Sequence, residues 1–276
     1  MANPKPTQSP LPPPFINVQG ISNFRDIGGY DAGPNRTIRS RYIFRCAEPT
    51  NATDLGIATI KSLGVNHIFD LRSRPEIEKL QISSPSGQVV DWPGVQRVYC
   101  PVFPDESFDP VSLATRYADY SNPNSEGIVR AYRAIMRQGA DAYAQIMRHI
   151  LYSPPAEGSF IFHCTAGKDR TGVFCALLLS LCGVDDETVA REYALTEIGL
   201  AGWLDTLVGS IMSQTGASEQ DARRMAGASR ENMLATLKMV REQYGDAAGY
   251  FIRECGLTEA DLVCVRERLI VEKLKL

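Results

Sequence analysis

The chain has 276 residues, of which 44% are hydrophobic and 22% charged, a balance typical of a single globular domain with a substantial core. Its formal net charge of −3 argues against nucleic acid as the main partner and against stable attachment to an anionic membrane. No apolar run approaches the roughly 20 residues that cross a bilayer, so stable membrane insertion is not expected.

Targeting and cysteine patterns favour a reducing, cytoplasmic environment. The first 15 residues lack the basic and apolar segments of a secretory signal. Seven cysteines occur, which is an odd number, and they form none of the paired spacings of a metal site. We therefore predict free thiols, and neither a metal nor another cofactor.

The order of the predicted elements indicates an α/β fold. Residues 1–14 are rich in proline and predict a disordered or polyproline arm before one domain over 15–276. β-Branched and aromatic runs predict strands at Tyr42–Phe44, His67–Leu71, Gln96–Val102 and Phe160–His163. Apolar periodicity predicts helices at Asp54–Leu63, Pro75–Leu80, Val129–Leu151 and Thr171–Cys182, with helical sequence continuing to Leu276. This alternation predicts a mostly parallel central sheet flanked by helices, followed by an additional C-terminal helical region.

A polar motif, Asp70–Ser73, lies at the carboxyl end of the second predicted strand, the edge where open α/β sheets place their sites. Asp70 and Arg72 either face that site or form an ion pair and helix cap, and the sequence leaves both interpretations open. The next helix has a capping-box pattern, with Ser73 as its N-cap and Glu76 three residues later.

The segment His163–Gly172 joins the last predicted strand to the helix after it and has the sequence HCTAGKDRTG. A loop that opens a helix directs backbone N–H groups and the positive end of the helix dipole toward one point. That arrangement binds an anion such as phosphate without requiring a side chain. The predicted phosphate ligands are Thr165, Ala166, Gly167, Lys168, Asp169 and Arg170.

Four side chains of this segment have expected chemical roles. The positive field of the loop stabilises a thiolate, so Cys164 is expected to be a nucleophile near neutral pH. The planar guanidinium of Arg170 can hold two phosphate oxygens up to the transition state. Thr171 is expected to donate a hydrogen bond to the sulfur and help it leave. His163 is expected to fix the loop rather than to act as a base.

The segment resembles the signature loop of the cysteine-based protein tyrosine phosphatases, in which five residues separate the cysteine from the arginine. Asn23–Gly29, which we interpret as mainly structural, and Asp70–Ser73 resemble motifs of the atypical tyrosine/serine phosphatase group. That group is known mostly from bacteria and fungi and includes secreted mycobacterial and listerial members. The resemblance runs from about Asn17 to the end of the chain. It implies metal-independent hydrolysis of phosphate monoesters through a phosphocysteine.

The residue that protonates the leaving group is left open between two aspartates. In the atypical group an aspartate within the loop is proposed for this role, and Asp169 stands at that position. Asp105, after the third predicted strand, is the alternative. The stretch Asp91–Gly94 resembles the acid loop of conventional tyrosine phosphatases, but glycine stands at the position of the acid.

The resemblance implies that the substrate is phosphotyrosine in a protein, with phosphoserine or phosphothreonine as further substrates, or alternatively a phosphoinositide. Lys168 either pairs with Asp169 or reaches a second phosphate, as in phosphoinositide phosphatases with lysine at this position. Two other classes are a non-catalytic module that binds phosphorylated ligands and an enzyme of sulfur transfer or arsenate reduction. Cys164 and Arg170 are both intact, which favours hydrolysis. The oligomeric state is not predicted.

An apolar stripe that includes Trp203, Leu207 and Ile211 predicts helical structure within about 200–229. Related proteins carry a helical lid after the loop helix, so this segment is a candidate lid that gates the site. Packing of an ordinary helical subdomain explains Trp203 and Leu207 at least as well.

Overall fold

The structure is a computed structural model that describes residues 11–83, 92–105 and 110–273. The strands in these ranges are β1 (Arg25–Asp26), β2 (Arg36–Ile38), β3 (Ile43–Cys46), β4 (Val65–Asp70), β5 (Gln96–Tyr99), β6 (Ser159–His163) and β7 (Ile270–Glu272). The helices up to the signature loop are α1 (Asp54–Ser62), α2 (Arg74–Ser83), α3 (Pro110–Ser121), α4 (Ser125–Gln138) and α5 (Ala140–Tyr152). Those after it are α6 (Asp169–Leu181), α7 (Asp186–Leu200), α8 (Leu204–Thr215), α9 (Glu219–Ala226), α10 (Arg230–Tyr244), α11 (Ala247–Arg253) and α12 (Glu259–Leu269).

The central sheet has the strand order β1-β3-β6-β4-β5, in which β3, β6, β4 and β5 run parallel and β1 pairs antiparallel at one edge. The predicted mostly parallel α/β fold with a C-terminal helical region is therefore confirmed. His163 at the end of β6 lies between Cys46 of β3 and Asp70 of β4. The carboxyl ends of three neighbouring strands thus meet where the signature loop begins.

The central strand β6 divides the interior into two layers. Phe160 and Phe162 pack into the larger apolar cluster, while Ile161 between them packs into the smaller one on the other face. Successive side chains of a strand point to opposite faces, so a strand covered on both sides needs this unbroken apolar run. The run of β-branched and aromatic residues that predicted this strand from sequence is thereby explained.

The predicted helix Val129–Leu151 is wrong as a single element, because α4 and α5 are separate helices on either side of Gly139. The amide of Gly139 donates to the Ile135 carbonyl at 2.8 Å and closes α4. A Cβ atom at this position would lie 2.8 Å from that carbonyl oxygen and 2.9 Å from the side chain of Val102. The close approach to the chain after β5 therefore requires glycine, and the chain changes direction there.

The prediction of helix through to Leu276 is wrong at its end. Helix α12 begins with a capping box between Thr258 and Asp261 and ends at Leu269. The β-branched pair Ile270 and Val271 then pairs antiparallel with β2 in a separate two-stranded sheet. Residues 274–276, and most of the predicted N-terminal arm, lie outside the described residues. Within the described ranges, no helix combines the length and apolar character that a membrane span requires.

Two histidines pack together at one side of the sheet, where the ring of His67 on β4 lies 4.4 Å from that of His149 on α5. Burial, with His67 beside it, lowers the pKa of His149 to about 4, and burial also lowers the pKa of His67. The folded protein therefore keeps these rings neutral at pH values where the unfolded chain, with a histidine pKa of about 6.5, takes up protons.

We expect the free energy of unfolding to fall as the pH drops from about 6.5 toward about 4, because protons bind the unfolded chain preferentially in that window. His149→Gln is expected to reduce this loss. Urea unfolding midpoints of wild type and variant at about pH 7 and about pH 5 test it. An equal loss of stability in both proteins would contradict the assignment to this pair.

Candidate active site

The signature loop connects the buried end of β6 to α6, which begins at Asp169, two residues before the predicted start. Cys164 is the first residue after the strand and is only 3% exposed. Strand β6 lies within the sheet and α6 packs beside it, and a short loop joins the end of the strand to the start of the helix. The sulfur therefore lies at the bottom of the loop, at the carboxyl edge of the sheet.

The carbonyl oxygens of the loop are held from outside, one after another. The donors and acceptors, in chain order, are Leu71 N to His163 O (2.9 Å), His163 Nδ1 to Cys164 O (2.9 Å), Glu48 N to Thr165 O (2.9 Å), Asn23 Nδ2 to Ala166 O (3.1 Å) and Arg45 Nη2 to Gly167 O (2.7 Å). In a planar trans peptide the carbonyl and the following N–H point in opposite directions. Five outward carbonyls thus turn the amides from Cys164 to Lys168 toward the inside of the loop, where an anion would bind.

Glycine is required at the turn of the loop. Gly167 has a φ of +64°, and a Cβ atom there would lie 2.1 Å from the carbonyl oxygen of Cys46. Gly172 lets the first turn of α6 approach the ring of Tyr193, which a Cβ would meet at 2.9 Å. Both glycines of the motif therefore serve close packing.

The guanidinium of Arg170 is held by a carboxylate that sequence reasoning missed. Its Nη1 and Nη2 donate to the two oxygens of Glu76 at 2.6 and 2.7 Å, and the Thr165 hydroxyl donates to Glu76 Oε1 at 3.0 Å. Burial opposes the charge of Glu76, but Arg170 and Ser73 outweigh it and lower the pKa of Glu76 to about 2. Glu76 is therefore ionised at neutral pH and fixes the orientation of Arg170.

Glu76 also makes the side-chain half of the capping box that the sequence predicted, since the amide of Ser73 donates to Glu76 Oε2 at 3.0 Å, and the hydroxyl of Ser73 donates to the same oxygen at 2.9 Å. One carboxylate thus caps α2 and reaches the signature loop. The sequence signal for its second role was its position just after the carboxyl edge of β4. The spacing itself indicated only a helix cap.

Asp70 and Arg72 form a buried ion pair, which is the second of the two interpretations left open by the sequence. Arg72 Nε and Nη2 donate to the Asp70 carboxylate at 2.9 and 2.8 Å, and Arg97 donates to it at 2.7 Å. Burial opposes the charge of Asp70, yet His163 and the arginines hold its pKa well below the usual range. The pair therefore stabilises the carboxyl end of β4, where Asp70 lies beside His163 of β6.

His163 is fully buried beneath the loop, and its Nδ1 donates to the carbonyl of Cys164. Burial lowers the pKa of His163 to about 4, although Asp70 opposes this shift. A neutral ring held in this way contacts the first residue of the loop, and its expected role in fixing the loop stays a prediction. The hydroxyl of Thr171 is buried and has no hydrogen-bond partner among the described residues, so its expected bond to the sulfur stays a prediction.

The two aspartates considered as acids have different surroundings. Asp169 accepts a hydrogen bond from Tyr132 at 2.8 Å, and the hydroxyl of Tyr193 lies 2.5 Å from that of Tyr132. Asp105 is exposed and accepts from the amide of Arg74 at 3.2 Å, at the start of α2. Asp91 of the Asp91–Gly94 stretch lies outside the described residues. Asp169 thus belongs to the loop and its buried tyrosine network, whereas Asp105 caps a neighbouring helix.

Lys168 is buried and points toward the segment that follows α9. Its ammonium group donates to the carbonyls of Met225 and Gly227 and lies 3.4 Å from the Asp169 carboxylate. The loop is thereby connected to the α8–α9 hairpin, which has a small apolar cluster of its own around Val208. Pairing with Asp169, one of the two roles considered for Lys168, is present. The gating role of the hairpin stays a prediction.

The chain is similar in sequence to a family of known proteins. The sequence profile of the tyrosine phosphatase family matches residues 16–271. The chain belongs to that family. It is similar to the triple specificity protein phosphatase PtpB of Mycobacterium tuberculosis, with 26% identity over 281 residues that cover 92% of this chain and 98% of the relative. It is also similar to a tyrosine-protein phosphatase of Nostoc commune, with 27% identity over 82% of this chain and 73% of the relative. Among solved structures, P. aeruginosa TpbA aligns with 71% of this chain and 92% of its own, at 16% identity and a TM-score of 0.30.

Proposed function

We propose that the protein hydrolyses phosphate monoesters, with phosphotyrosine in proteins as its main substrate, through a phosphocysteine intermediate. The observation that carries the proposal is the loop in which five successive carbonyls are held outward around a buried cysteine. The inward amides and the fixed Arg170 provide donors for the oxygens of a phosphoryl group, whose charge develops in the transition state. The family to which the chain belongs supports the same reaction.

In the first step Cys164 Sγ attacks phosphorus, an S–P bond forms and the P–O bond to the leaving group breaks. Asp169 gives its proton to the leaving oxygen, so the product is a neutral phenol or alcohol. In the second step water attacks phosphorus and the S–P bond breaks, which releases inorganic phosphate and restores the thiolate. Asp169 accepts the proton from this water. The loop amides and Arg170 hold the equatorial oxygens in both steps.

A phosphopeptide is favoured over a phosphoinositide because the ammonium group of Lys168 is already hydrogen-bonded within the protein. Its ammonium group is buried against the carbonyls of Met225 and Gly227, so it is not directed toward a second phosphate. The mycobacterial relative, which is 26% identical to this chain, is named a triple specificity phosphatase.

The test is phosphate release, with EDTA present, from a phosphotyrosine peptide, a phosphoserine peptide and short-chain phosphoinositides in parallel. The phosphotyrosine peptide is expected to be hydrolysed fastest. Faster release from phosphoinositides would make the protein a lipid phosphatase. Binding of all three without release would make it a non-catalytic binding module, and faster turnover of thiosulfate would indicate sulfur transfer.

Asp169→Asn is expected to lower kcat/KM, which reports the first step alone, by about 100-fold for phenyl phosphate, because a poor leaving group needs the proton. The loss is expected to be much smaller for 4-nitrophenyl phosphate, whose phenolate leaves without protonation. Asp105→Asn is the matched control, because it removes the same charge beside Arg74. A leaving-group-dependent loss in Asp105→Asn instead would transfer the acid role to that residue.

A further inference from the structure

A cluster of buried polar side chains lies behind the signature loop, on the side away from the phosphate. Four of its members are at most 2% exposed, and they come from β1, β3, α7 and the turn before β1. They are Asn23, Arg25, Arg45 and Glu192. Burying four such groups costs free energy unless each is hydrogen-bonded, so their contacts indicate what the cluster supports.

Glu192 on α7 holds the two arginines in place. Its Oε1 accepts from Arg25 Nε and its Oε2 from Arg45 Nη1, both at 2.7 Å. Arg45 then uses its remaining Nη2 group to donate to the carbonyl of Gly167 at 2.7 Å. One end of this guanidinium is thus fixed by a carboxylate and the other end by the loop.

Asn23 makes the second connection to the loop. Its Nδ2 group donates to the carbonyls of Ala166 and Gly167 at 3.1 and 3.3 Å, while its Oδ1 accepts from Arg25. Its backbone has a φ of +58°, a conformation that asparagine, aspartate and glycine adopt most readily. The backbone amide donates to the carbonyl of Gly199 at 3.0 Å, so the side chain cannot easily follow a shifted loop.

We propose that Asn23, together with Arg45, is a positioning residue of the phosphate loop. The inference rests on the proposed function, in which the loop amides bind phosphate. Asn23 and Arg45 hold the carbonyls of Ala166 and Gly167 outward, and the planar peptides therefore keep the amides of Gly167 and Lys168 aimed at the phosphoryl oxygens. If either peptide rotated, a carbonyl oxygen would face the phosphate in place of a donor.

The buried polar cluster thus acts on affinity for the anion and not only on folding. The motif around Asn23, which the sequence indicated as mainly structural, thereby gains a role in anion binding through the donors of Asn23. Arg25 acts one step further away, because it orients the amide of Asn23 and shares Glu192 with Arg45.

Asn23→Asp tests this directly, because the two side chains have the same shape. An aspartate keeps an acceptor for Arg25 but presents an oxygen where Asn23 presents a donor to two carbonyls. We expect the dissociation constant of inorganic tungstate, a tetrahedral oxyanion, to rise roughly 10- to 100-fold by calorimetry, and kcat/KM for 4-nitrophenyl phosphate to fall similarly. Asn23→Gly, which keeps the positive φ without strain, is expected to act in the same direction.

Thr196→Val is the matched control. Thr196 is fully buried and accepts from Arg25 Nη2 at 3.1 Å, but it does not contact the loop. This variant is expected to lower the melting temperature while tungstate binding and kcat/KM, measured well below that temperature, stay close to wild type.

Three results would overturn the proposal. Wild-type tungstate binding in both Asn23 variants would remove the positioning role and leave the proposed function intact. A loss of affinity in Thr196→Val as large as that in Asn23→Asp would assign the effect to general destabilisation. A wild-type protein that neither binds tungstate nor releases phosphate would refute the proposed function, and the positioning role with it.

Discussion

Cys164→Ser is expected to lower kcat by roughly 10⁴-fold or more on every phosphate ester, while affinity for the substrate is retained. A serine hydroxyl is not ionised near neutral pH and is a far weaker nucleophile than a thiolate. The donors that bind phosphate are backbone amides and Arg170, and none of them is altered by this substitution. Steady-state hydrolysis of 4-nitrophenyl phosphate and calorimetric binding of a phosphotyrosine peptide measure the two effects separately.

Cys264→Ser is the control for this prediction, because Cys264 is an exposed free cysteine on α12. It is expected to keep wild-type turnover. Substantial activity in Cys164→Ser would exclude a phosphocysteine intermediate. Loss of both turnover and binding, with a normal melting temperature, would mean that the sulfur itself holds the anion.

The strand–loop–helix unit that carries the candidate site was predictable from sequence because its determinants are local. Cys164, Gly167 and Arg170 lie within one strand–loop–helix unit, and the apolar runs on both sides fix where that unit begins and ends. The parallel sheet followed from the alternation of strands and helices for the same reason. Short-range patterns reveal such units, because periodicity and chain punctuation act over a few residues.

The supports of the site were not predictable in this way, since they come from distant parts of the chain. Glu76 meets Arg170 from 94 residues away, and Arg45 meets Gly167 from 122 residues away. Which charged groups lie next to each other depends on the order and the register of the strands. No local sequence pattern encodes the order β3–β6–β4. The division of Val129–Leu151 at Gly139 has the same cause, because the contact with Val102 is long-range.

Two buried arginines lie close to the signature loop, and their pairing with carboxylates explains how they support it. Arg45 and Arg72 are both fully buried, yet each is paired with a buried carboxylate, Glu192 or Asp70. A buried ion pair adds little net stability, because desolvation offsets most of the attraction. Their contribution is to fix the geometry on either side of Cys164, as Glu76 does for Arg170 within the loop.

Arg170→Lys is expected to lower kcat/KM for 4-nitrophenyl phosphate by roughly 10³-fold, although the positive charge is kept. Lysine lacks the planar fork that can hold two phosphoryl oxygens at once, and it cannot reproduce the two-point contact with Glu76. Kinetics across a series of phosphate esters measure the loss. A variant within tenfold of wild type would mean that charge alone is sufficient at this position.

Glu76→Gln separates orientation from charge in the same experiment. Because its pKa is lowered to about 2, Glu76 is ionised across the working pH range, and the substitution removes that charge while keeping the size of the side chain. We expect about a tenfold loss in the wild-type background and less than about threefold in Arg170→Lys, since residues that act as a unit are not additive. Equal losses in both backgrounds would show that Glu76 acts through Ser73 and the start of α2. A smaller loss in Arg170→Lys would show that it acts by holding the guanidinium in line with the phosphoryl oxygens.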